Sequence, residues 1–162
     1  VPTAATQILI YKAQRQLILT TSDGSEQRYR ITLGKNSAAD KTVEGDHATP
    51  LGSFYVCAKN PRSKYFLSLC LSYPNAEDAE RGLATGIIGM AEYVQILEAV
   101  SLGKMPPQKT ALGGEIYIHG HAASGDQLKE RDWTRGCIAV DNADMQVIYD
   151  LATLGTPVRI VA

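Results

Sequence analysis

The chain has 162 residues and a mass of 17.5 kDa, the size of one domain with its own hydrophobic core. Apolar residues make up 44% and charged residues 20%, so the composition is globular rather than disordered. Sixteen Lys and Arg against seventeen Asp and Glu give a net charge of −1, which argues against nucleic acid as a partner. No apolar run approaches the ~20 residues of a membrane helix, and no basic segment followed by an apolar stretch opens the chain, so neither a transmembrane segment nor a signal peptide is expected within it. A signal removed from ahead of Val1 stays open.

In chain order, Gln7 to Tyr11 and Gln16 to Thr20 are short β-prone runs that predict a hairpin. Asp23-Gly24 is a turn signal, and Tyr29, Ile31 and Leu33 alternate with polar residues as a half-buried strand over 28–33 would. Residues 34–52 form a long polar loop ending in Thr49-Pro50-Leu51-Gly52; long ordered loops are often functional. Strands are predicted near 53–58 and 65–72, turning at Asn60-Pro61-Arg62-Ser63. Asn75 can cap a short helix, with Glu77, Asp78 and Glu80 in its first turns. Ile87, Met90, Ala91, Val94, Leu97 and Val100 recur at helical spacing and predict an amphipathic helix over 87–102, stopped by Pro106-Pro107. Glu115 to His119 reads as a strand, 120–133 as loop and 137–140 as a further apolar strand. Asp141 or Asn142 then caps a helix over about 143–153 with Val147, Ile148 and Leu151 inward, and Pro157 to Val161 closes the chain as a strand. Strands outnumber helices, so the fold class is mostly β with a few packed helices.

Three cysteines are too few for a disulfide framework. Cys57 and Cys70 lie in apolar strand-like runs, where a thiol usually packs as a small hydrophobe. Cys137 follows Thr134-Arg135-Gly136 at the junction of a polar loop and a strand. His119 precedes it by eighteen residues, at the end of another predicted strand. One loop joining two strand ends can bring them side by side, and an imidazole that takes the thiol proton makes a nucleophile. Gly136 leaves room for a substrate carbonyl, and the amides of Gly136 and Cys137 could form an oxyanion hole. The acceptor that would orient His119 is open: Asp126, Asp132, Asp141 or a backbone carbonyl. On spacing alone, a buried structural Cys137 and a surface His119 stand as the ordinary alternative.

The run Ile118-His119-Gly120 followed by Thr134-Arg135-Gly136-Cys137-Ile138 resembles the active-site signature of the L,D-transpeptidase (YkuD-like) catalytic domain. Gly45-Asp46-His47-Ala48-Thr49-Pro50-Leu51-Gly52-Ser53-Phe54, Asn142-Ala143-Asp144 and Gly155-Thr156-Pro157-Val158 resemble further elements of that family in the same order. Asn60-Pro61-Arg62-Ser63-Lys64-Tyr65 and Ser72-Tyr73-Pro74-Asn75 resemble one subgroup. The resemblance implies a β-sandwich forming a single catalytic domain over 1–162, with a helical insertion at about 82–112 that either caps the groove or packs on the sheet. It implies a periplasmic or otherwise extracytoplasmic enzyme without cofactor or metal. Its partners would be peptidoglycan stem peptides, with a D-Ala-terminated donor and an amine acceptor. Cys137 would be the nucleophile forming a thioester, His119 the general base and acid, and Gly120 the carbonyl that orients His119. Gly136 and Cys137 would supply oxyanion donors and Thr134 a loop-shaping hydroxyl. Arg135 stands where family members commonly carry histidine; a cation there could lower the thiol pKa or hold a carboxylate.

His121, Trp133, His47 and Tyr117 are groove candidates. Arg62 and Lys64 could meet anionic peptides or simply be a solvated tip. A lone tryptophan such as Trp133 is otherwise a packing anchor. His119, His121 and Cys137 could instead hold zinc, although a spaced fourth ligand is missing. The alternatives in function are an L,D-carboxypeptidase, a peptidoglycan hydrolase or amidase on the same fold, and a non-catalytic cell-wall binding module. Transfer and hydrolysis differ in whether an amine or water reaches the thioester, which depends on groove shape.

Overall fold

The computed structural model describes residues 3–121 and 132–162; Asp126 and most of the 120–133 loop lie outside the described residues. The elements are β1 (Ala5–Tyr11), β2 (Gln16–Thr21), β3 (Glu26–Arg30), β4 (Gly52–Ser63), β5 (Phe66–Leu71), α1 (Ala76–Ala84), α2 (Met90–Ser101), β6 (Tyr117–His119), β7 (Ile138–Ala139), α3 (Asn142–Leu151) and β8 (Pro157–Val161). The strands form one sheet in the order β3-β2-β1-β8-β4-β5-β6-β7.

The long strand β4 belongs to both halves of the sheet. Its first residues, Gly52 to Tyr55, pair with β8, and Val56 to Ser63 pair with β5. The sheet curls so far that its ends meet: Thr32, just past β3, exchanges backbone hydrogen bonds of 3.0 and 2.9 Å with Ala139 of β7. Ile8, Ile10, Leu17, Leu19, Val158 and Ile160 from one half share a core with Leu69, Leu71, Ile118 and Ile138 from the other, and α3 adds Met145 and Ile148. This is the sandwich the sequence predicts, built as one curled sheet. Cys57 is half-buried and Cys70 buried, both as free thiols.

Three boundaries differ from expectation, each for a physical reason. The strand predicted over 28–33 ends at Arg30, because Ile31 N–H turns to Arg15 O and Thr32 crosses to β7. The turn predicted at 60–63 falls instead after Ser63. A register irregularity between Asn60 and Ser63 accommodates Pro61, which cannot donate to a ladder. The hairpin therefore reaches further, and its tip carries Arg62, Lys64 and Tyr65. The helix predicted over 87–102 starts at Met90, with Gly89 N–H bonded to the Glu92 carboxylate at 3.3 Å, and it presents a different face. Met90 and Val94 are 61% and 50% exposed, whereas Ile96, with Tyr93 and Val100 beside it, packs on Ala79, Ile88 and Leu112. In α3, likewise, Met145 and Ile148 are inward and Val147 faces out. Asn75 caps α1 as predicted, in a reciprocal box with Asp78. No helix among the described residues is long and apolar enough to cross a membrane.

Candidate active site

The strand pair β6 and β7 builds the centre of the site. They run parallel with Ile118 opposite Ile138 and His119 opposite Ala139. Ile118 and Ile138 are fully buried in the core, so alternation turns Tyr117, His119 and Cys137 to the other face. There a cavity of about 920 Å³ is lined by His119 and Cys137 together with Tyr117, Trp133, Thr134, Arg135 and His47. The two strand ends that the sequence separates by eighteen residues thus open into one space.

His119 is buried and its Nδ1 lies 2.6 Å from Gly120 O. A carbonyl only accepts, so Nδ1 carries the proton and Nε2 is the basic nitrogen. Burial pushes His119 down to about 4; its bond to Gly120 opposes this and His121 adds to it. The ring stacks on Tyr65, centroids 4.5 Å apart, with the edge of Trp133 at 5.8 Å. None of the candidate aspartates among the described residues orients His119. Asp132 holds Arg15 through two bonds of 3.1 and 2.7 Å and accepts Leu33 N–H at 2.9 Å, which ties the loop before the cysteine to the β1–β2 turn. Asp141 lies beside His121 Nε2, 4.0 Å away. Asn142 instead fixes the backbone beyond the histidine, its Oδ1 accepting His121 N–H at 2.7 Å.

Cys137 is half-buried. Its thiol donates to Glu115 O at 3.4 Å, and Tyr117 N–H donates to the sulfur at 3.4 Å. Burial pushes the thiol up to about 11; the Tyr117 N–H works against this, the Glu115 charge adds to it and Lys41 opposes it. The resting pair at neutral pH is thus a neutral imidazole and a protonated thiol. Thr134 shapes the turn: its hydroxyl donates to Cys137 O at 2.7 Å and accepts Gly136 N–H at 3.1 Å. Gly136 N–H is thus engaged by the Thr134 hydroxyl in this structure. The sequence did not reveal that Tyr117 N–H points at the sulfur. Gly136 has φ +135°, and a Cβ there would sit 2.7 Å from Ala48 O, so only glycine lets the 46–48 loop close on the motif. That loop is shaped by Asp46, whose carboxylate accepts from Thr42, Val43 and Ala48 N–H and pairs with Lys41 at 3.0 Å.

Of the remaining groove candidates, His47, Trp133 and Tyr117 line the cavity. His121 is not among its described lining residues; it is buried and stacks on Trp133, centroids 5.8 Å apart. No group of three His, Cys, Asp or Glu among the described residues is placed to hold a metal ion, so the trio His119, His121 and Cys137 does not assemble as one. Among the described lining residues, Lys35, Arg62, Lys64 and Arg135, with Lys41 already paired to Asp46, stand against Glu44 and Glu115, an excess of cations that suits a ligand bearing carboxylates.

The family model described as the YkuD L,D-transpeptidase catalytic domain matches residues 5–160. No curated protein matches the sequence at a significant level. Among solved structures, the helical cell shape determining protein Pgp2 from Campylobacter jejuni superposes with a TM-score of 0.64 at 26% identity, covering 98% of this chain and 47% of that one. An L,D-transpeptidase from Mycobacterium smegmatis gives 0.56 at 13% identity, covering 98% and 59%. One from Xylanimonas cellulosilytica gives 0.55 at 15% identity, covering 99% and 62%. The chain thus spans about half to three fifths of the length of these structures, and the two at low identity speak for the fold alone.

Proposed function

Because the chain belongs to the YkuD family of L,D-transpeptidase catalytic domains, we propose that it acts on peptidoglycan stem peptides by cysteine acyl transfer. The observation that carries the reading is the placement of His119, with Nε2 unprotonated, on the same face and in the same cavity as the Cys137 thiol. His119 Nε2 takes the thiol proton as the sulfur attacks the carbonyl that precedes the terminal D-Ala. With a thiol at about 11 and an imidazole at about 4, a stable thiolate–imidazolium pair is not the ground state, so proton transfer accompanies attack. Tyr117 N–H and the Cys137 amide stabilise the oxyanion. Collapse of the intermediate breaks the peptide bond, His119 returns the proton to the leaving D-Ala amine, and a thioester remains on Cys137.

An amine acceptor then gives a crosslink, and water gives a shortened stem. The cationic lining at Arg62, Lys64 and Arg135 supports a substrate that carries free carboxylates. An extracytoplasmic location follows from the same reading; so does a part in cell shape, the role that the Campylobacter protein's name records for that protein. Product analysis after incubation with purified tetrapeptide muropeptides tests it. Released D-Ala with dimers means transfer, and released D-Ala with tripeptides alone means carboxypeptidase action. If D-Ala stays bound in every product, the proposed substrate is wrong.

A further inference from the structure

The segment between α2 and β6 is tied down by one side chain that the chemistry above does not use. Gln108 follows Pro106-Pro107. Its amide nitrogen donates to Tyr73 O and to Pro106 O, each at 2.9 Å, and its amide oxygen accepts Glu115 N–H at 2.7 Å. Both faces of the amide are therefore engaged. The backbones approach closely here: a Cβ on Gly114 would lie 2.2 Å from Gln108 O. Tyr73, fully buried, closes the other side by donating to Leu112 O at 2.7 Å.

Glu115 sits at φ +56°, in the left-handed region that a glutamate disfavours. In that conformation its carbonyl accepts the Cys137 thiol, while Tyr117 N–H approaches the same sulfur from the strand. The thiol is held between an acceptor and a donor, two residues apart in one segment.

We propose that Gln108 is a positioning residue for Cys137: by clamping Glu115 in the left-handed conformation, it aims the Glu115 carbonyl at the thiol and keeps the sulfur protonated. The proposal rests on Cys137 being the nucleophile. A thiol that donates a hydrogen bond is favoured over its thiolate, and a carboxylate on the same residue favours it further. The helical segment 82–112, remote from the cysteine in sequence, thereby reaches the reacting atom through one amide.

The test is the pH profile of Cys137 alkylation by iodoacetamide, located by peptide mass spectrometry, in the full chain and in its Gln108→Met and Tyr73→Phe variants. Gln108→Met loses the acceptor for Glu115 N–H. Its midpoint should fall, and its rate at neutral pH should rise about fivefold, the factor of one net hydrogen bond. Tyr73→Phe loosens the same segment by removing the bond to Leu112 O but leaves Glu115 N–H its Gln108 acceptor, and it should keep the wild-type midpoint. A Met profile identical to wild type, or equal downward shifts in both variants, overturns the clamp. Where the Met variant does not fold, hydrogen exchange in the wild type decides: a protected Glu115 amide supports the clamp, and exchange at the rate of a free amide refutes it. Alkylation needs no peptidoglycan, so a failure of the proposed acyl transfer and a failure of the clamp are read separately.

Discussion

Replacing Thr134 by valine removes a hydroxyl while leaving a side chain of similar shape. The loss can be worked out from two bonds. Thr134 is 4% exposed; its Oγ1 donates to Cys137 O at 2.7 Å and accepts Gly136 N–H at 3.1 Å. The first bond is worth about 1 kcal/mol net, and the second leaves a buried N–H without an acceptor at about 1–3 kcal/mol. The turn cannot easily rearrange, because Gly136 is wedged against Ala48 O. Thr134→Val should therefore destabilise the protein by about 2–4 kcal/mol, which for a chain of this length lowers Tm by roughly 5–15 °C. Urea unfolding should show a lower midpoint at unchanged slope. Thr134→Ser keeps the hydroxyl and should lose less than about 1 kcal/mol. A valine variant within about 0.5 kcal/mol of wild type, the range of an inconsequential surface change, would refute the reasoning.

His119→Ala should slow turnover at least ~100-fold, as loss of a general base does, and a near-normal rate would mean another group takes the thiol proton. Alkylation of Cys137 should climb through the neutral range without a plateau, toward a midpoint near 11; a plateau by pH 8 would mean that burial does not hold the thiol protonated. Asp78 is buried, and burial raises its folded pKa to about 6 from an ordinary 3.8, against the pull of Asn75 N–H and Arg81. Folded protein then binds the proton more tightly than unfolded. The stability this contributes is present below pH 4 and is lost as pH rises through about 6. Asp78→Asn should shrink the fall in unfolding free energy between pH 4 and 7 by on the order of 2–3 kcal/mol. Parallel pH curves for the two proteins would exclude a raised Asp78.

The features legible in the sequence are those set by local chemistry. The runs at 115–119 and 137–140 were enough to expect two strands joined by one loop with the histidine and the cysteine at their ends; that both side chains turn to one face came from the pairing of β6 with β7. The Asn75 cap and the closing strand at Pro157–Val161 follow equally local rules. The face of α2 was not legible, because Met90, Tyr93, Val94, Ile96, Leu97 and Val100 give apolar residues on most sides. Only packing against α1 selects Ile96 over Val94. The commitment of Gly136 N–H to Thr134 was hidden for a similar reason: Thr-x-Gly-Cys says that a hydroxyl is near, not which amide it accepts. Gln108 and Glu115 carry no motif. A left-handed glutamate braced by a distant amide becomes visible only once the backbone is in place.

Acyl transfer through Cys137 is tested most simply by intact-protein mass spectrometry of the wild type and Cys137→Ala after mixing with purified tetrapeptide muropeptides. The wild type should carry an acyl adduct on Cys137, the mass of the donor less D-Ala, and the folded alanine variant none. An adduct that persists in Cys137→Ala, or D-Ala release at the wild-type rate without that thiol, would contradict acyl transfer through Cys137.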